Sequence, residues 1–128
     1  MVTALTGAHV VIGDGTDIDD GTVVIGDGRI ASVEAGGDTS NADVVIDLGG
    51  RAIVPGLIDL HTHVVGGDNA IGHGDEATTF RMSDPLIKTV IDSVEAARVT
   101  LYAGVTTARE IGSRDYIDVY LRAAMAAG

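Results

Sequence analysis

His61 and His63 are the residues whose types and spacing most directly promise chemistry in this chain. They end the run Ile-Val-Pro-Gly-Leu-Ile-Asp-Leu-His-Thr-His-Val-Val at residues 53–65. On a strand, i and i+2 share a face, so the two imidazoles project together and Thr62 turns the other way. Two neighbouring imidazoles at the end of a buried strand can hold a divalent metal of the zinc kind. A catalytic zinc takes three protein ligands and keeps one position for water, so the pair supplies only part of such a site. A bare His-x-His is a weak signal that half-buried strand histidines satisfy without metal. Its weight comes from the whole segment around it.

Other chemistry-bearing residues stand around this pair. Asp59 shares its face by strand parity; it can accept a hydrogen bond near the site or pack structurally at the strand base. His73 lies in a Gly-rich segment with Asp68, Asp75 and Glu76 nearby, where substrate contact and a plain solvated histidine are both open readings. Arg109 and Glu110 end a later apolar run; one of them can line a substrate pocket, or the two can form an ion pair at a strand end. His9 lies far along the chain and receives no function. Gly13-Asp14-Gly15 and Gly26-Asp27-Gly28 resemble phosphate loops, but neither opens a helix, so both are read as turns.

The elements that must position these residues change character at Pro55-Gly56. Before it, strands are expected over 8–12, 22–25, 29–33, 44–48 and 52–54, with an Asp-Gly hairpin turn at Asp27-Gly28. Together they predict a small antiparallel sheet or half-sandwich over residues 1–55. After it, residues 57–60 read as a strand buried on both faces, because the run is apolar apart from Asp59. Residues 66–81 are polar and Gly-rich, hence a long loop. A helix is predicted from Asp84 as N-cap and Pro85 as first helical residue, with Leu86, Ile87, Val90, Ile91, Val94, Ala97 and Leu101 at helical spacing and Gly104 just past its end. A strand over 105–108 and a second helix follow, capped by Asp115 with Asp118 near its third position. This strand–helix alternation over 56–128 predicts an α/β part with parallel strands, made of two βα units. A closed (β/α)8 barrel needs about 250 residues, so the barrel is expected to be incomplete within this chain.

The totals bound the rest. The 128 residues suffice for a modest core, and 18 glycines suit frequent turns. A formal charge of −11 opposes nucleic acid and anionic lipid, so neither is an expected partner. No cysteine is present, which excludes disulfides and thiolate ligands. The opening Met-Val-Thr-Ala-Leu lacks the basic and apolar regions of a secretory signal. No apolar run approaches the roughly 20 residues of a membrane span. The expected location is the cytoplasm.

The segment Ile-Val-Pro-Gly-Leu-Ile-Asp-Leu-His-Thr-His resembles the Pro-Gly-x-Ile-Asp-x-His-x-His signature of the metal-dependent amidohydrolase superfamily. Upstream, Gly-Asp-Gly-Arg-Ile-Ala-Ser-Val and Val-Ile-Asp-Leu-Gly-Gly-Arg are similar to its N-terminal β-sandwich segments. Downstream, Leu-Tyr-Ala-Gly-Val-Thr-Thr-Ala-Arg-Glu-Ile-Gly at residues 101–112 resembles the second barrel strand of the imidazolonepropionase and Xaa-Pro-dipeptidase-like branch. The resemblance implies a composite β-sandwich segment followed by the first two βα units of a TIM-like barrel. It implies one or two zinc-like ions, with His61 and His63 as the first two ligands. Its further ligands (a carboxylated lysine or acidic bridge, two histidines and an aspartate from later strands) would lie beyond residue 128. Lys88, the only lysine, falls in a predicted outer helix and is not given the bridging role. The implied activity is hydrolysis of a C–N bond in a small amide, peptide-like or cyclic amide substrate by metal-activated water. The implied partners are that substrate and either further copies of the chain or a complementing chain that completes the barrel. The competing reading is a non-catalytic fragment or subunit that associates through an open barrel edge.

Overall fold

β1 (Val2–Val11) is the strand around which the first half of the molecule is built. In the computed structural model, which describes residues 1–65 and 85–128, it pairs antiparallel with β2 (Asp17–Gly26). β2 in turn pairs antiparallel with β3 (Arg29–Ala35). On its other side β1 pairs in parallel with β4 (Val44–Asp47) and further along with β5 (Ala52–Ile53). The strand order is β3-β2-β1-β4, with β5 also on β1.

This is a mixed sheet, which corrects the antiparallel expectation. β1 and β3 run in the same direction. Residues 36–43 bring the chain back to the start of β1, so β4 runs that way as well. The Asp43 N–H donates to the Val2 carbonyl at 2.9 Å and the Val2 N–H donates to Asp43 Oδ2 at 2.6 Å, which fixes the register at that end. β1 also begins well before residue 8. Gly7 interrupts the β-branched pattern, and with φ at +63° it sits in a register shift between Leu5 and Ala8. Its carbonyl accepts the Gly50 N–H at 2.7 Å, so the bulge is where β1 passes from β4 to β5. The β2–β3 hairpin turns at Asp27 and Gly28, both at positive φ, the geometry Asp-Gly favours. Asp14 Oδ1 accepts the Thr16 N–H at 2.9 Å and its hydroxyl at 2.6 Å, so Gly13-Asp14-Gly15 is a side-chain-stabilised turn. The core is small: Ala8, Val10 and Val23, with Leu5, Ile18, Ile25, Val33, Leu48 and Ile53 packed around it.

Met1–Pro55 and Gly56–Gly128 form separate compact units. In the second, β6 (Leu57–Thr62) and β7 (Val105–Glu110) form a parallel pair with α1 (Leu86–Tyr102) between them in sequence. A 3-10 turn (Arg114–Tyr116) and α2 (Ile117–Ala127) follow. The chain thus combines a β-rich N-terminal sheet with two βα units, an α/β arrangement.

Four local expectations are corrected here. β6 is not buried on both faces: Leu57, Ile58 and Leu60 are 55%, 64% and 64% exposed, because among the described residues only β7 pairs with it. α1 buries Thr89 and Ser93 while Ile87, Ile91 and Val94 face outward. The small side chains allow close approach, and Ser93 satisfies its hydroxyl by donating to the Thr89 carbonyl at 2.6 Å. Pro85, not the residue before it, is the N-cap of α1, with extended ψ and no side-chain cap bond; Asp84 lies outside the described residues. Asp115 does not cap α2, since it sits at φ +51° inside the 3-10 turn; Ser113 Oγ accepts the Asp118 N–H instead, at 3.1 Å. Gly104 ends α1 as expected, at φ +92° with its N–H donating to the Leu101 carbonyl at 2.9 Å. No helix among the described residues is long and apolar enough to cross a membrane.

Candidate metal centre

His61 lies in β6 and His63 just past its end. What fixes that end is the pairing with β7. The Leu57 N–H donates to the Gly104 carbonyl at 2.9 Å, and Ile111 N–H to the Thr62 carbonyl at 3.3 Å. Thr62 Oγ1 donates to the Arg109 carbonyl at 3.1 Å, so the residue between the histidines is spent on the neighbouring strand. The two imidazoles stand edge to face, ring centroids 5.7 Å apart and planes at 78°. Both line a cavity of about 360 Å³ together with Asp59, Thr62, Ala96, Val99 and Thr100.

The two rings are held differently. His63 Nδ1 lies 3.4 Å from the Gly112 carbonyl oxygen and 3.4 Å from Glu110 Oε1. Glu110 is itself fixed: Oε2 accepts the Val65 N–H at 3.3 Å and Oε1 the Gly112 N–H at 3.2 Å. Among the described residues, His61 has only its ring contact with His63 and its backbone N–H, which donates to Asp59 Oδ1 at 3.0 Å. Asp59 therefore caps its own strand's backbone beside the pair. Arg109 lines a second cavity, of about 500 Å³, with Glu110, Asp118, Leu121, Arg122 and Met125 among its walls. Among the described residues Glu110 forms no ion pair with Arg109, its neighbour on the opposite face of β7; its carboxylate accepts the Val65 and Gly112 N–H groups and stands 3.4 Å from His63 Nδ1. His73 lies outside the described residues. Lys88 is on α1, where its ammonium donates to Asp92 at 2.6 Å one turn on. His9 is in the other unit, between Asp17 and Asp19.

Sequence reasoning missed Gly112 and Val65, which reach the site through their backbones. The one signal was the glycine two residues after Glu110. A Cβ there would touch His63 Cε1 at 3.8 Å, so the ring lies against this turn.

As a donor set, the pair fits two positions of a nitrogen-rich divalent metal site. Nε2 of His63 and both nitrogens of His61 have no partner among the described residues. No group of three or more His, Cys, Asp or Glu that could hold a metal occurs among them either, so the set is partial.

Fold and site together define a class: a β-rich sheet leading into parallel βα units, with paired histidines at the end of the first strand of the second part. Comparison with known proteins names it. The chain is 41% identical over 63 residues to the 5-methylthioadenosine/S-adenosylhomocysteine deaminase of Thermococcus kodakarensis, spanning 49% of this chain and 15% of that one. It is 40% identical over 82 residues to the imidazolonepropionase of Rhizobium rhizogenes, spanning 62% of this chain and 17% of that one. An amidohydrolase of known crystal structure superposes with a TM-score of 0.75 and 27% identity over 99% of this chain and 29% of its own. No protein-family model matches. The chain belongs to the amidohydrolase superfamily and corresponds to its N-terminal region. It spans less than a fifth of the length of the two curated relatives.

Proposed function

We propose that this chain is the N-terminal region of a metal-dependent hydrolase, with His61 and His63 as two ligands of a divalent ion of the zinc kind. The reaction is addition of water across a C–N bond of a small amide, peptide-like or cyclic amide substrate. The observation that carries this reading is the pair itself: two imidazoles edge to face on one cavity, three of their four nitrogens unpartnered among the described residues. The names of the relatives, a deaminase and an imidazolonepropionase, agree with water attack at a carbon bearing nitrogen. A metal bound there polarises the carbon–heteroatom bond and lowers the pKa of its water to about 7. The protein's part is to present neutral imidazoles in fixed orientation. The strand places His61 on the cavity, and the β7 end orients the ring of His63. The two units are proposed to be the β-sandwich segment (1–55) and the first barrel units (56–128).

The test is zinc affinity of the 128-residue chain by competition with a chromogenic chelator. His61→Ala and His63→Ala are each expected to weaken it at least tenfold, no less than outer-shell changes alone produce. Equal affinity in both variants and the parent overturns the assignment.

A second reading, association with a complementing chain or another copy, is favoured by one observation. Leu57, Ile58 and Leu60 are exposed on a strand paired only to β7 among the described residues.

A further inference from the structure

We propose that Glu110 is the positioning residue for His63: it holds the imidazole as the Nδ1–H tautomer, so that Nε2 is the nitrogen offered to the metal. This rests on the metal-centre reading above.

Donors and acceptors around the ring decide where its proton sits. Nδ1 of His63 faces two oxygens at 3.4 Å: the Gly112 carbonyl, with which it is hydrogen-bonded, and Glu110 Oε1, which stands beside it as a charged neighbour. A carboxylate and a carbonyl can only accept, so Nδ1 must carry the hydrogen. A neutral imidazole has one N–H, which leaves the lone pair on Nε2. Metals take that lone pair, and the partner on the other nitrogen decides which one is free. Glu110 suits the task because it is not a swinging surface side chain. It is only 12% exposed, against 46% for His63, and two backbone N–H groups grip its oxygens. One of those is the N–H of buried Val65, two residues past His63. Glu110 therefore fixes both the ring and the turn of chain that carries it. His61 has no such partner among the described residues, so the pair contains one preset ring and one adaptable ring.

A purely structural role, bridging the ends of β6 and β7, would use the same two backbone bonds but would leave the ring's proton to the Gly112 carbonyl, so that removing the carboxylate would not move it. The tautomer separates the two roles, and it is read without metal. In the ¹⁵N-labelled 128-residue chain at mildly alkaline pH, two-bond imidazole correlations are expected to show His63 as Nδ1–H. Glu110→Ala should shift it toward the Nε2–H form and leave His61 unchanged. Glu110→Gln, which keeps an oxygen acceptor of the same reach, should fall between. Zinc affinity should drop about 10–100-fold in Glu110→Ala, the range for loss of an outer-shell partner. An unchanged His63 tautomer in both variants overturns the proposal and assigns the ring to Gly112. Should Glu110→Ala lose its folded amide spectrum, Glu110→Gln carries the test. The two readings fail separately. If His63→Ala does not weaken zinc binding, the metal centre is wrong. If it does while Glu110→Ala leaves tautomer and affinity untouched, only the positioning role is wrong.

Discussion

His9 meets two carboxylates of β2, one at each ring nitrogen: Nδ1 to Asp19 Oδ1 at 2.7 Å and Nε2 to Asp17 Oδ2 at 3.5 Å. Carboxylates cannot donate, so only the doubly protonated ring serves both. The hydrogen bond to Asp19, followed by the charges of Asp19 and Asp17, raises the His9 pKa above its ordinary value. A group raised on folding stabilises the fold fully below its unfolded pKa, about 6.5, and that contribution is lost as pH rises through the higher folded value. We therefore expect His9 to titrate above 6.5 by NMR in the parent and lower in Asp19→Asn, where Asp17 alone remains, with the parent's advantage over the variant shrinking as pH rises through the parent's value. A parent His9 titrating at or below 6.5 would remove this account. At this scale the sequence was legible where geometry is local. The face shared by His61 and His63 follows from two-residue spacing alone. The Glu110–His63 contact joins residues 47 apart, and the Asp17–His9–Asp19 bridge depends on the β1–β2 register, which bulges at Gly7. Neither can be read from spacing.

Between elements, the parallel pairing of β6 and β7 depends on Gly56. A Cβ at this position would overlap the side chain of Thr106, and it would still lie 2.8 Å from Thr106 Cβ whatever rotamer that residue took. Relief requires the strands to move apart. Gly56→Ala is expected to cost about 1–3 kcal/mol, as overpacking does, and to loosen the histidine-bearing end of β6. Urea unfolding followed by zinc affinity reads both effects; full stability in the variant would show that β6 can shift freely. Element types were largely legible, because apolar runs, the Asp-Gly turn at Asp27 and the Gly104 stop are local signals. Partners were not. The apolar spacing in α1 announced a helix but not which face packs, and the close-packed face proved to be that of Thr89 and Ser93. The parallel β1–β4 pair escaped for the same reason, since nothing in residues 44–47 states the direction of the neighbour.

For the whole molecule, a charge of −11 opposes the exposed apolar side chains of the second unit. Raising salt from about 0.1 M to about 1 M shortens the screening length from about 10 Å to about 3 Å. If β6 is an associating edge, the sedimentation-average mass should climb with salt at neutral pH, and Ile58→Lys with Leu60→Lys should abolish the climb. A mass near 13.0 kDa at every salt concentration would remove the association reading. One feature of the first unit bears on a different moment in the life of the protein. β1 needs strands on both sides, and one of them begins beyond Asp43, 41 positions after Val2. A ribosome adding about 5–20 residues per second therefore takes roughly two to seven seconds to make that partner once β1 is complete at Val11. Throughout that interval the nascent chain carries an unpaired strand edge, which makes this stretch of synthesis a natural place for a chaperone to act.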